Sequence, residues 1–191
     1  MRRLLKKLFL VTVAVMVVDG CAPIKPSEPV TTVDSVDLSR YVGTWYEIAR
    51  LPAWFQRHCV DSKAVYTLQD DGQIGVHNEC VTEAGDVDQA NGTARVVDPA
   101  TNAKLSVTFG NWFTRMFQST PTGNYWILAL DQDYQNAMVG TSDREYLWLL
   151  SRSTRMDQAT YDKFVEHARE QGYPVAELIR DRRASPATPR P

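Results

Sequence analysis

The chain has few of the residues that build metal or covalent-catalysis centres. Its 191 residues hold three cysteines and three histidines. His58, His77 and His167 lack paired ligand spacing, so no zinc or other metal site is expected. No G-x-S-x-G elbow presents a serine nucleophile, and no phosphate loop or metal-binding helix motif occurs. These gaps argue against an enzyme and against a bound cofactor. Basic residues are not in excess: 21 Lys and Arg stand against 23 Asp and Glu, a formal charge of −2. Without a basic stripe, nucleic acid is not an expected partner. A long apolar run is missing too. The longest, Leu8 to Val18, is broken by Thr12 and falls well short of the roughly 20 residues that a membrane-crossing helix needs.

That short run has a context. Arg2, Arg3, Lys6 and Lys7 precede it, and the small residue Gly20 and Cys21 follow it. A basic start, a short apolar core and small residues describe a secretory signal over residues 1–20. The stretch "VVDGC" resembles the lipobox of bacterial lipoproteins, in which the cysteine becomes the lipidated first residue of the mature chain. The resemblance implies acylation of Cys21, including palmitate, and a membrane contact through acyl chains. More than one chain is needed for stable anchoring. Asp19 is unusual in such a box, and a free cysteine after a plain signal is the alternative. Ala22 stands where an Asp tends to retain such lipoproteins in the inner membrane, so the outer membrane is expected, with the folded part in the periplasm.

Removing residues 1–20 takes away four cations and one acid, leaving 171 residues with a formal charge of −5. That length suits one domain. Residues 21–36 carry three prolines and little apolar surface and read as a flexible tether with a reach of about 20–40 Å. Residues 181–191 carry three more prolines and read as a disordered tail. Between them lie eight short runs of period two, from "TWYEIAR" to "YLWLLSR", separated by turn residues. Asp157 to Gln171 switches to helical period, with Tyr161, Phe164, Val165 and Ala168 on one face, Asp157 as cap and Gly172 as stop. The expected fold over 37–180 is all-β: an eight-stranded antiparallel up-and-down barrel with one C-terminal helix packed outside. Closure into a barrel removes the exposed edges. Cys59 and Cys80 flank the hairpin about Asp70-Asp71-Gly72 and read as a disulfide in an oxidising compartment, with two free thiols as the alternative. They are offset from direct register, so a bulge or diagonal pairing is required.

"GTWYEIAR" at 43–50 and "DREYLWLLSR" at 143–152 are similar to the first and last strand blocks of lipocalins. The first is especially similar to bacterial outer-membrane lipocalins. The resemblance implies that Trp45 plugs the closed end of the barrel, that Arg152 stacks on its indole, and that Gly43 permits a tight bend there. The family's middle block is represented only by "LDQDYQNAMV", where Gln132 replaces Thr.

Strand alternation then assigns a lining. The inward residues are Ala64, Tyr66, Val76, Asn78, Ala94, Val107, Phe109, Tyr125, Ile127, Ala129, Tyr146 and Trp148. An apolar and aromatic wall with scattered polar groups suits an aliphatic ligand. The alternative is a barrel filled by its own aromatics. Two loops bring apolar residues and an arginine each to the mouth: Trp54 and Phe55 with Arg57 on one, and Trp112, Phe113, Met116 and Phe117 with Arg115 on the other. They read as a rim touching lipid, or as a cap over the core; the two arginines suit a phosphate head group. Glu47 is a candidate inward carboxylate, more readily a paired structural charge, and no close carboxylate pair is expected in the cavity.

The expected function is binding or transport of a hydrophobic ligand. The resemblance implies fatty acid or lysophospholipid and a role in envelope maintenance. The alternatives are a filled-barrel lipoprotein acting through protein contacts, and a lipid-modifying enzyme or porphyrin binder, for which His58 would be the feature. A homodimer is compatible with the sequence.

Overall fold

The computed structural model describes residues 28–110 and 121–184. The expected lipidation at Cys21 and the second mouth loop with Trp112, Phe113, Arg115, Met116 and Phe117 lie outside the described residues. The alternating runs form eight strands: β1 (Gly43–Arg50), β2 (Cys59–Leu68), β3 (Ile74–Thr82), β4 (Val87–Val96), β5 (Lys104–Phe109), β6 (Tyr125–Leu130), β7 (Asn136–Gly140) and β8 (Leu147–Ser151). Neighbours in sequence pair antiparallel, and β1 pairs with both β8 and β2, so the sheet closes. A four-residue helix, α1 (Leu38–Tyr41), crosses one end just before β1. The side chain of Asp37 caps it by accepting from Ser39 N.

Period-two alternation sorts the apolar residues into two clusters. Trp45, Tyr66, Val76, Val107, Ile127, Val139 and Leu150 point into the barrel. Ile48, Trp126, Leu128, Met138, Leu147 and Leu149 point out and meet helix α2 (Gln158–Glu170). Helical spacing brings Phe164 and Ala168 onto that outer face, where both are buried. Asp157 accepts from Thr160 N at 2.9 Å and starts the helix. Gly172, at φ +84, ends it in a conformation that glycine adopts without strain.

Three expectations need correction. Ala129 does not face inward. A bulge in β6 between Ile127 and Ala129 interrupts the alternation, so Ala129 joins the helix-side cluster and Leu130 turns in. Residues 28–36 are not a free tether. Val30 and Val36 are buried, Val33 N donates to Ile127 O, and Val36 N donates to Thr101 O. Backbone hydrogen bonds and two apolar anchors hold the segment despite its prolines. Residues 181–184 are not tail. A two-residue strand, β9 (Ile179–Arg180), pairs with β1, and the chain continues as Asp181 N to Ile48 O and Arg182 N to Val60 O. β1 and β2 part beyond Tyr46, and this segment occupies the seam.

Cys59 and Cys80 are bonded, with Cα atoms 5.4 Å apart. Register explains how. Cys59 lies opposite Thr82, and a bulge at Val60 places Ser62 opposite Cys80. The required offset is met by that bulge and a diagonal reach.

Candidate ligand cavity

The closed end is built around Trp45, which is fully buried. Its Nε1 donates to Tyr41 O, and the Arg152 guanidinium lies 3.8 Å from its ring centre. Arg152 also donates to the carbonyls of Arg40, Tyr41, Val42, Thr44 and Tyr134. One cation thus satisfies the carbonyls that α1 and its exit leave unpaired. Gly43 sits at φ +103, and an added Cβ would lie 3.2 Å from Arg152 Nη1. Across the floor, Tyr134 O–H accepts from Asp37 N, with Arg40 4.0 Å above its ring.

Above Trp45 stands a tyrosine trio. Tyr125 O–H meets Tyr41 O–H at 2.7 Å and Tyr66 O–H at 3.1 Å. Burial raises all three phenols above their ordinary range, Tyr66 to about 12. They stay neutral and protonated at physiological pH.

Tyr66 and Tyr125 of the trio form the floor of a cavity of about 520 Å³ that opens at the other end of the barrel, with Tyr41 packed beneath them. Tyr66, Phe109, Tyr125 and Trp148 are bulky, yet they line this space instead of filling it. The structure places Ala64, Tyr66, Val76, Asn78, Val107, Phe109, Tyr125 and Trp148 on the wall. Ala94 and Ile127 face in but are packed below, in the core around Trp45. Tyr146 is not on the wall. It precedes β8 and stacks on Trp148 at 5.9 Å and against Phe55 at 5.5 Å, a mouth position.

The first mouth loop lies where its sequence suggested. Trp54 to His58 border the cavity, and Trp54 is 47% exposed. Arg57 is exposed and donates to His58 Nε2. His77 points away from the cavity, toward Asn91 and Glu79. Among the described residues no cluster of His, Cys, Asp or Glu is arranged to hold a metal.

One polar network escaped sequence reading. Glu47 faces the cavity and Arg50 donates to it at 2.8 Å. Arg50 also donates to Asp181 at 3.2 Å, and Asp181 accepts from Ser62 N at 2.7 Å. Gln56 Nε2 donates to Glu47, while Gln56 Oε1 accepts from Trp148 Nε1. Two buried carboxylates therefore share one arginine, with Glu47 at the cavity and Asp181 behind it in the wall. Burial first, then the charge of Glu47, pushes Asp181 up to about 9. No local signal marks this cluster, because Asp181 is 131 residues from Arg50.

Asn78 is the other polar wall residue of note. Its Oδ1 is buried and has no hydrogen-bond partner. Asn124, by contrast, is spent on the sheet, accepting from Val107 N and donating to Val107 O.

A mostly apolar cavity of this size lies within the range of small-molecule sites, roughly 300–1,000 Å³. The barrel is able to hold a small hydrophobic ligand.

Residues 36–183 match the lipocalin-like domain family. The chain is 35% identical to the outer membrane lipoprotein Blc of Escherichia coli, over 93% of this chain and 96% of that protein. It is 42% identical to temperature-induced lipocalin-1 of Arabidopsis thaliana, over 76% of this chain and 78% of the relative. Among solved structures, insecticyanin from the tobacco hornworm Manduca sexta superposes with a TM-score of 0.57 at 18% identity, covering 81% of this chain and 84% of that one. The blocks around Trp45 and Arg152, the closed eight-stranded barrel, the outer helix and these matches agree: the chain belongs to the lipocalin family.

Proposed function

We propose that this protein is a lipid-anchored envelope lipocalin that takes up a single-chain amphiphile, a fatty acid or a lysophospholipid. The observation that carries this reading is the cavity: about 520 Å³, apolar through Val76, Val107, Phe109 and Val139, and polar toward the rim at Lys63, Asn78 and Gln89. An acyl chain suits the wall, and its head group suits the rim. Burying apolar surface supplies the driving force, at roughly 25 cal/mol per Å². The signal segment 1–20 and Cys21 resemble lipoprotein processing sequences, and similarity to Blc over nearly the whole chain supports an outer-membrane, periplasm-facing site. The lining fits binding and transfer rather than a reaction.

Native mass spectrometry of the mature protein in detergent tests the reading. A one-to-one complex with added lysophospholipid is expected. Ala64→Trp, which fills the wall opposite Asn78, should abolish it while the protein stays folded. A mass that stays bare through the titration refutes the proposal.

A further inference from the structure

The path of residues 28–36 fixes which end of the barrel Glu28 lies at. Arg144, in the turn between β7 and β8, donates to Glu28 O. That turn lies at the mouth, because Trp148 pairs with Arg50 and Tyr146 packs against Phe55. From Glu28 the chain runs down the outside of the barrel. Thr31 N donates to Gln171 Oε1, Val33 N to Ile127 O, and Val36 N to Thr101 O in the turn at the closed end. Asp37 then meets Tyr134 on the floor. Glu28 therefore lies at the open end.

Only seven peptide steps separate Cys21 from Glu28. Fully extended, they reach at most about 25 Å. The ten residues of β2 span about 33 Å, so the floor lies a full strand length beyond the mouth.

The rim carries matching surface. Among the described residues, four large apolar side chains are exposed: Trp54, Leu68, Val87 and Ile179. Trp54 is on the mouth loop, Val87 opens β4 beside Val81, and Ile179 pairs with Arg50. Three of the four thus cluster toward the open end. Tryptophan favours the membrane–water interface. Among the described residues the same rim bears Glu79, Glu83, Asp86, Asp88, Asp143 and Glu145 against Arg57, His58, Lys63 and Arg144. That acidic surplus opposes adsorption onto an anionic surface, so contact depends on the anchor.

We infer that the acylated protein stands with its cavity mouth against the phospholipid surface that holds Cys21. This rests on the lipid-anchor reading above. In this pose a lipid chain passes between bilayer and cavity without crossing bulk water.

The test uses the full mature chain with acylated Cys21 in vesicles containing brominated phosphatidylcholine, which quenches nearby tryptophan. Flotation with the vesicles reports the anchor. In a Trp112→Phe background, which removes the tryptophan of the second mouth loop, the emission lost in Trp54→Phe should be the emission that bromine quenches. Leu68→Trp places a reporter in the hairpin at the closed end, and its added emission should be unquenched. Quenching at Leu68→Trp without quenching at Trp54 overturns the orientation. Quenching at neither, with flotation intact, overturns it as well and shows the barrel held off the surface. Failure to float removes the anchor and this inference together, while ligand binding by the soluble barrel is untouched.

Discussion

Arg50 and Asp181 meet at 3.2 Å inside the barrel wall, joining the end of the first strand to the segment that follows β9. Both side chains are almost wholly buried. A third charge, Glu47, meets the same Arg50 Nη1 at 2.8 Å. The Asp61–Arg183 pair flanks the group on the outer side. One cation between two acids leaves a surplus negative charge in a poorly solvated place. Retaining a proton removes it.

The stability of the protein should therefore fall as pH rises through neutrality. Asp181 titrates near 3.8 when unfolded and is pushed up to about 9 when folded. Between these values the folded state holds a proton that the unfolded chain has released. The contribution is complete below the unfolded value and is lost as pH climbs toward the folded one. Its slope is at most about 1.4 kcal/mol per pH unit. Asp181→Asn keeps the shape and removes the titration. Urea midpoints from about pH 5 to 8 should slope downward in the native protein and flatten in the variant; parallel profiles refute the assignment.

Arg152 should be among the costliest surface-adjacent residues to remove. It combines the contact over Trp45 with hydrogen bonds to five carbonyls. Arg152→Ala should lower unfolding free energy by about 3 kcal/mol, since several charge-assisted bonds are lost at once. Arg152→Lys should recover only a minor part, because an ammonium lacks the planar fork that reaches carbonyls on two sides. Equal stability of the Lys variant and the native protein contradicts this.

The tyrosine trio makes a prediction by counting. Three O–H groups share two contacts, so each contact uses one proton and a third is left to address cavity water or ligand. Tyr125 sits in both contacts. Tyr125→Phe should cost about 2 kcal/mol by stranding two hydroxyls, and Tyr41→Phe about half of that. Comparable losses for the two variants count against the geometry.

Much of this architecture was readable from residue pattern. Alternation marked eight strands, helical spacing marked α2, and the blocks around Trp45 and Arg152 marked the closed end. The misreadings share a cause. The bulge after Ile127 shifts Ala129 outward, yet nothing in "ILAL" encodes an extra residue. Residues 28–36 and 181–184 looked like tether and tail by composition, but backbone hydrogen bonds to distant strands hold them. The Glu47–Arg50–Asp181 cluster joins residues far apart in the chain, and only closure of the barrel brings them together.

Asn78 should tell one lipid class from another. Its Oδ1 is buried at the wall with no partner in the protein, and an acceptor so placed costs about 1–3 kcal/mol unless a bound molecule donates to it. A lysophospholipid has a free glycerol hydroxyl that can donate to it; an ionised fatty acid has no such donor. Asn78→Leu keeps the volume and removes the unmet acceptor. Two outcomes are expected. The empty variant should unfold at higher denaturant concentration than the native protein. Lysophospholipid should bind roughly 5- to 10-fold more weakly, while fatty acid binds as well or better, a difference of about 1–1.4 kcal/mol. Titration of both lipids against both proteins measures it. If the two lipids lose affinity equally, Asn78 shapes the wall and does not read the head group.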